Sequence, residues 1–291
     1  MYVIFTDTDT DITPEIAKRY GYHIISMPYS IDGEEFYPYE DSEFFDHKAF
    51  YEKLRAGALP KTSGISSEKY KEYFEPFFKE GKDILYAHFS SEMSGTFSAM
   101  NIAVNELKDL YPERKFYAID TLAITIGALQ IVEKIGDMYL AGKTPEEIID
   151  WAKDGIYHTA TYYFVDDLSF LRRSGRVKSI SAAVGNLMGI RPIINIGEDG
   201  TMRSIDKVKG QKAAIAKLMY YVEQLNDNIA DHRIHIVHSD IPELVDLLTE
   251  KLKSEYGENL DIEVICASPA VGSHVGPNCV GLSFNAKKRE L

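Results

Sequence analysis

The chain has 291 residues, 45% of them apolar and 26% charged, the profile of a soluble globular protein with a sizeable core. A net charge of −13 argues against a nucleic-acid binder, and no apolar stretch approaches the length of a membrane span. The opening Met1-Tyr-Val-Ile-Phe-Thr-Asp lacks the marks of a signal peptide, so Cys266 and Cys279 are expected as free thiols and the cytoplasm as the compartment.

Tyr2 to Thr6 reads as a short apolar strand, followed by an aspartate-rich turn and by Pro14, which suits the first turn of a helix. His23 to Met27 is a second strand, and the Asp32-Gly33 turn suggests a small hairpin. A helix near His47 to Ala56 precedes Leu59 to Ser67, expected to be a loop dense in hydroxyl residues. A helix from Glu68 to Lys79 leads to a strand at Ile84, and a second helix starts near Gly95. The corner between them carries Ser90, Ser91, Ser94 and Thr96. It reads as a cradle for an anion at the carboxyl end of a strand, against the plainer reading that Ser94 caps the helix. A strand at Lys115 to Ile119 and two further helices complete an alternation that implies a parallel, doubly wound sheet.

From about Thr159 the texture changes. An aromatic, β-branched strand runs to Val165, and a short helix follows around Leu168 and Leu171. The basic run Arg172-Arg-Ser-Gly-Arg-Val-Lys178 comes next, then a hairpin over Ile190 to Ile196 and Thr201 to Val208. Gln211 to Leu225 and Pro242 to Ser254 read as helices, and His232 to His238 and Leu260 to Ile265 as strands. A loop of small residues around His274 precedes the last strand. Hairpins mixed with crossovers imply a mixed sheet. The expectation is therefore an α/β protein of two domains, residues 1–155 with a parallel doubly wound sheet and residues 156–291 with a mixed one.

Several motifs fail on their chemistry. Asp7, Asp9 and Asp11 loosely imitate the opening of a haloacid-dehalogenase-type aspartyl-phosphatase, but Asp11 stands where Thr or Val is expected. As a calcium loop the run fails, with Lys18 at the twelfth position and Ile12 at the sixth. A turn and helix cap is the favoured reading. Gly142-Lys-Thr144 follows a helix and lacks a correctly spaced earlier glycine, so it is no phosphate loop. There is no Gly-x-Ser-x-Gly elbow, and neither the cysteines nor the eight histidines show metal-ligand spacing. No cofactor is expected.

What remains is an ordered set: Thr6-Asp-x-x-x-Asp11, Thr62-Ser63, Ser90-x-x-x-Ser-Gly-Thr96, Leu171-Arg-Arg-x-Gly-Arg176, Gly189-Ile-Arg-Pro-Ile-Ile, Asp199-Gly-Thr with Lys209-Gly, and Gly272-x-His-x-Gly-Pro277. In order and spacing it resembles the DegV family over nearly the whole chain. That resemblance implies a lipid-binding protein, not an enzyme. A long-chain fatty acid such as palmitate would lie in an apolar tunnel between two domains and be presented to a partner fatty-acid kinase. It further implies a carboxylate held by Thr62, Ser63, Ser94 and His274, with Gly95, Thr96 and Ser273 supporting. Arg172, Arg173 and Arg176 would lie near the tunnel mouth, for phosphoryl transfer or kinase docking, with Arg203, Lys207 and Lys209 extending that face. The chain departs from the family pattern at Gly64-Ile65, where Gln-Pro is usual, at Ser174, where Gly is frequent, and at Asn278, where Gly is common. The competing readings are a Mg²⁺-dependent phosphatase using Asp7 or Asp9, and an α/β enzyme with His274 as acid or base.

Overall fold

The computed structural model describes residues 1–40, 45–178 and 189–291. Up to Gly155 the order is β1 (Tyr2–Asp7), α1 (Pro14–Tyr20), β2 (Tyr22–Ile25), β3 (Tyr29–Ile31), β4 (Glu34–Phe36), α2 (His47–Arg55), β5 (Lys61–Thr62), α3 (Ser67–Lys79), β6 (Asp83–His88), α4 (Thr96–Leu110), β7 (Phe116–Asp120), α5 (Thr125–Leu140) and α6 (Pro145–Gly155). From Thr159 it continues with β8 (Thr159–Phe164), α7 (Leu168–Ser174), β9 (Val177–Lys178), β10 (Ile190–Ile196), β11 (Met202–Lys209), α8 (Gln211–Leu225), β12 (Ile234–His238), α9 (Pro242–Tyr256), β13 (Ile262–Cys266), α10 (Pro269–Val275) and β14 (Val280–Asn285).

Local chemistry sets many of the helix ends. Thr13 accepts from the Ile16 N–H and Pro14 occupies the first turn of α1, while Thr144 and Glu147 form a capping box on α6. The first sheet has four parallel strands in the order β2-β1-β6-β7, as the alternation of strands and helices predicts. The second has seven in the order β13-β12-β14-β8-β10-β11-β9, mixing parallel and antiparallel pairs. The α/β architecture with a parallel first sheet and a mixed second one is thus observed.

Helix α5 lies between the two sheets. It packs on β14, β12 and β8 on one side and on β1 and β6 on the other. Its sequence explains the position, because Ile126, Leu129, Ile131, Val132 and Ile135 bury around its circumference, not along one stripe. The outer face of the second sheet is covered by α8 and α9 over a separate core that includes Phe164, Ile193, Leu218 and Leu248.

A charged seam also joins the halves. Glu133 on α5 is almost fully buried and meets Arg19 (3.4 Å), Arg233 (3.1 Å) and His235 (2.9 Å). Glu263 pairs with the same two arginines at 3.5 and 2.8 Å.

Two segments differ from the sequence expectation. The region around His274 is a helix, α10, and not a loop. Ser268 caps it, accepting from Val271, and Pro269 fills its first turn. Its interior glycine and serine disguise the helix in the sequence. Within the expected Leu59–Ser67 loop, Lys61 and Thr62 form β5. This strand joins β3 and β4 in a third, three-stranded sheet, too short to leave a periodic signal.

Candidate functional site

A cavity lies beyond the carboxyl ends of β1, β2 and β6, where an open parallel sheet characteristically takes ligands. Asp9, Met27 and Phe89 reach it from those strand ends, and Thr161, Tyr163 and Val237 line it from the second sheet. It takes in about 920 Å³, open solvent at its mouth included. Its wall is mainly apolar. The first turn of α5 also lines it, with no side-chain cap on its free N–H groups. Thr125 there has φ +54°, a strained conformation for a β-branched residue, and nothing in the sequence marks it.

The polar end gathers Thr62, Ser63, Ser94 and His274, all four lining the cavity. Thr62 on β5 and His274 on α10 lie 212 residues apart in sequence, yet Thr62 Oγ1 and His274 Nε2 are 2.9 Å apart. Ser63 Oγ donates to Glu35 at 3.2 Å, and its N–H donates to the Pro28 carbonyl. Ser94 Oγ accepts from the Thr96 N–H at 3.2 Å, a local turn at the start of α4, which leaves its own O–H able to donate elsewhere. Gly95 is the exposed N-cap of α4. Thr96 is buried, and its Oγ1 accepts from Ile65 N–H at 3.2 Å and meets Tyr70 Oη at 3.2 Å. It therefore ties the loop after Thr62 to the helix beside Ser94. A Cβ on Gly64 would come within 3.1 Å of Thr96 Cβ, so glycine here permits close approach. Ser273 is turned back into α10, donating to the Pro269 carbonyl at 2.7 Å.

The placement of α10 explains the Gly272-x-His-x-Gly motif. A Cβ on Gly272 would meet Tyr51 Oη at 2.6 Å. Gly276 has φ +72°, and a Cβ there would meet the Phe170 ring at 2.5 Å. Both glycines let α10 press against α2 and α7, with His274 carried between them. Asp11 fixes the other end, its Oδ1 accepting from the Ser268 N–H at 2.9 Å.

Electrostatically, His274 and the three aspartates at this end are pushed toward their neutral forms. Burial, and then the charges of Arg176 and Arg173, lower His274 to about 4. Burial raises Asp7 to about 7, although Tyr86 and the Phe89 and Asp9 N–H groups donate to its carboxyl. Asp11 is likewise raised by burial to about 7. Asp9 is held well above the usual carboxylate range by burial and by its two aspartate neighbours. Asp7 is thus a hydrogen-bonded junction between β1 and β6, and not an open nucleophile. Among the described residues, the carboxylate and histidine atoms close enough together to share a metal are those of Glu133, His235 and Glu263, away from the aspartate run.

The basic turn follows α7. Arg172 and Arg173 are exposed in its last turn, and Arg173 stacks over Phe170 at 4.7 Å. Arg176 lines the cavity, and its guanidinium donates to the Ser174 carbonyl and, at 3.5 Å, to the Met93 carbonyl. Ser174 stands where a glycine is frequent, but the left-handed position is Gly175, at φ +67°, and Ser174 donates to Leu171 at 2.7 Å. Asn278 takes φ +64°, which asparagine tolerates. Arg203 is paired with Asp199 at 2.9 Å and with Glu290 at 3.2 Å, while Lys207 is exposed. A bulge near Ile205 puts Arg203 opposite Asn195 and Lys207 opposite Pro192, so the two side chains leave the sheet on opposite faces.

Comparison with known proteins gives one consistent result. The family model described as "Uncharacterised protein, DegV family" matches residues 1–287. A DegV domain-containing protein of Clostridium perfringens is 33% identical over 289 residues, covering 99% of each chain. A DegV lipid-binding protein from Thermotoga maritima aligns with a TM-score of 0.83 at 25% identity over the whole of both chains. A stearic acid-binding protein from Eubacterium ventriosum aligns with a TM-score of 0.86 at 19% identity over 99% of each. With the family model and a relative above 30% identity both spanning nearly the whole length, the chain belongs to the DegV family.

Proposed function

We propose that this protein binds one long-chain fatty acid in the cavity between its two sheets and presents the carboxylate to a partner kinase for acyl-phosphate formation. The observation that carries the reading is the polarity of the cavity, an apolar wall ending at Thr62, Ser63, Ser94 and His274. Hydroxyl donors and a neutral imidazole suit a carboxylate, and charge-assisted hydrogen bonds are the strong ones. They hold it without neutralising it, which leaves an oxygen able to attack a phosphoryl group. Burial of the tail supplies affinity at about 0.8 kcal/mol per CH₂, so a modest head-group site suffices. Family members of solved structure are named for lipid or fatty-acid binding, which supports the same ligand class here.

On this reading Arg172 and Arg173, exposed in the last turn of α7, meet the kinase or its nucleotide, and Arg176, which lines the cavity, meets the head group. The chain carries no nucleotide-binding motif, so ATP comes with the partner. Residues 1–155 and 156–291 would act as two domains enclosing the lipid.

Native mass spectrometry with organic extraction of the purified protein tests the proposal. A co-purifying C16–C18 fatty acid at one per chain is expected. An empty protein that fails to take up palmitate and hydrolyses phosphate esters with Mg²⁺ would replace it with the phosphatase reading.

A further inference from the structure

Asp9 stands at an unspecified position of the Thr-Asp-x-x-x-Asp pattern and is absorbed by nothing described above. Its neighbours are spoken for: Asp7 joins Tyr86 and Phe89, and Asp11 anchors α10. Asp9 instead lines the cavity in company with Thr62, Ser94, His274 and Arg176, and among the described residues its buried Oδ1 has no hydrogen-bond partner. A buried carboxyl oxygen that lacks a donor is costly when ionised and inexpensive when protonated.

We propose that Asp9 is a head-group residue whose protonated carboxyl donates a hydrogen bond to the carboxylate of the bound lipid, so that lipid and proton bind together. The inference rests on the fatty-acid reading above and names a further residue of that same site.

The charges around Asp9 support it. Asp7 and Asp11 flank it along the chain, Arg176 faces it from the end of α7, and Tyr70 faces it from α3. His274 on α10 and Cys279 before β14 share its cavity, and Arg173 adds its charge at His274. Burial keeps the Tyr70 phenol and the Cys279 thiol protonated, and His274 is neutral above pH 4. With Asp9 neutral, the positive charge of Arg176 is uncompensated there and favours an anion. With Asp9 ionised, that charge is cancelled and a like charge opposes the incoming carboxylate. A carboxylic acid kept neutral in order to donate to an anion is established chemistry for a buried site.

Titration calorimetry of delipidated protein with palmitate, from pH 6 to 9 and in buffers of different ionisation enthalpy, tests the proposal. Free palmitate monomer is ionised throughout this range. Wild type is expected to lose affinity as pH rises through the Asp9 titration, by up to about tenfold per pH unit, with proton uptake on binding. Asp9→Asn keeps a donor. It is expected to bind within about threefold of the wild-type affinity at pH 6, with proton uptake reduced by the Asp9 share and a shallower pH dependence up to pH 9. Asp9→Ser is a second donor-bearing variant, used if the first does not fold. A flat wild-type profile, an unchanged slope in Asp9→Asn, or a folded Asp9→Asn that binds nothing overturns the role of Asp9 while leaving the fatty-acid reading intact. Wild type that binds no palmitate at any pH overturns that reading itself.

Discussion

Two polar regions lie between the sheets, and they treat charge in opposite ways. At the seam, Glu133 and Glu263 are met by Arg19 and Arg233, with His235 beside them, and cation and anion are held together. At the cavity end, Asp7, Asp9, Asp11 and His274 are pushed toward neutrality by burial, and the charge of Arg176 acts on Asp9 and His274. The first arrangement sets carboxylates against guanidinium groups and ties helix to strand, with only His235 Nδ1 of this group left buried without a partner among the described residues. The second leaves hydroxyls, an imidazole and an unsatisfied oxygen around a space, with the local balance tipped toward positive. A buried ion pair serves to join elements, whereas neutral donors beside one cation suit an anion that comes and goes.

Substitution can break this contrast, and the largest effect is expected at Asp11. Its carboxyl is raised from an ordinary 3.8 to about 7, so the folded state keeps a proton that the unfolded chain releases. The associated stability is full below about pH 4 and is lost as pH rises through 7. Asp11→Asn preserves the acceptor for Ser268 and removes the titration. Its stability relative to wild type should therefore grow from pH 4 to pH 8 by up to about 4 kcal/mol, read from denaturant midpoints. A difference independent of pH would mean that Asp11 holds no extra proton in the folded state. Next comes Glu133→Ala, which strips the seam of its central anion and should cost about 3 kcal/mol. Palmitate affinity should stay within about twofold of wild type once the protein is folded. A collapse of affinity with stability intact would show that the two regions are not separate.

Ser94→Ala should weaken palmitate binding about tenfold, close to 1.4 kcal/mol, with little change in melting temperature. Unchanged affinity would place the head group elsewhere. The smallest effect on binding is expected for Arg173→Ala. The lipid should be retained with wild-type affinity while acyl phosphorylation by a fatty-acid kinase is impaired, and normal phosphorylation would remove the basic turn from the docking face.

Most of the strand and helix order was legible because the alternation of short apolar runs with amphipathic stretches is a strong local signal. The Ser90–Thr96 corner was legible for the same reason, as a strand that stops at hydroxyls before a helix. Other parts were not. Helix α10 hides behind Gly272 and Ser273, although Ser268 and Pro269 marked its start. The contact of Thr62 with His274 joins a two-residue strand to a seven-residue helix across the molecule, and no local pattern encodes it. Arg203 and Lys207 sit at a spacing that would share a face in a regular strand, but the bulge between them separates them. Asp9 was visible only as one of three aspartates in a turn, since the depth to which a turn is covered depends on the other half of the chain.

A crystal structure of the protein with its bound lipid tests the central claim most directly. One acyl chain is expected along the apolar wall past Phe89 and Val237, with its carboxylate within hydrogen-bond reach of Thr62, Ser94 and His274. A lipid lying in the reverse sense, or a ligand at the Glu133 seam with the cavity empty, would contradict it.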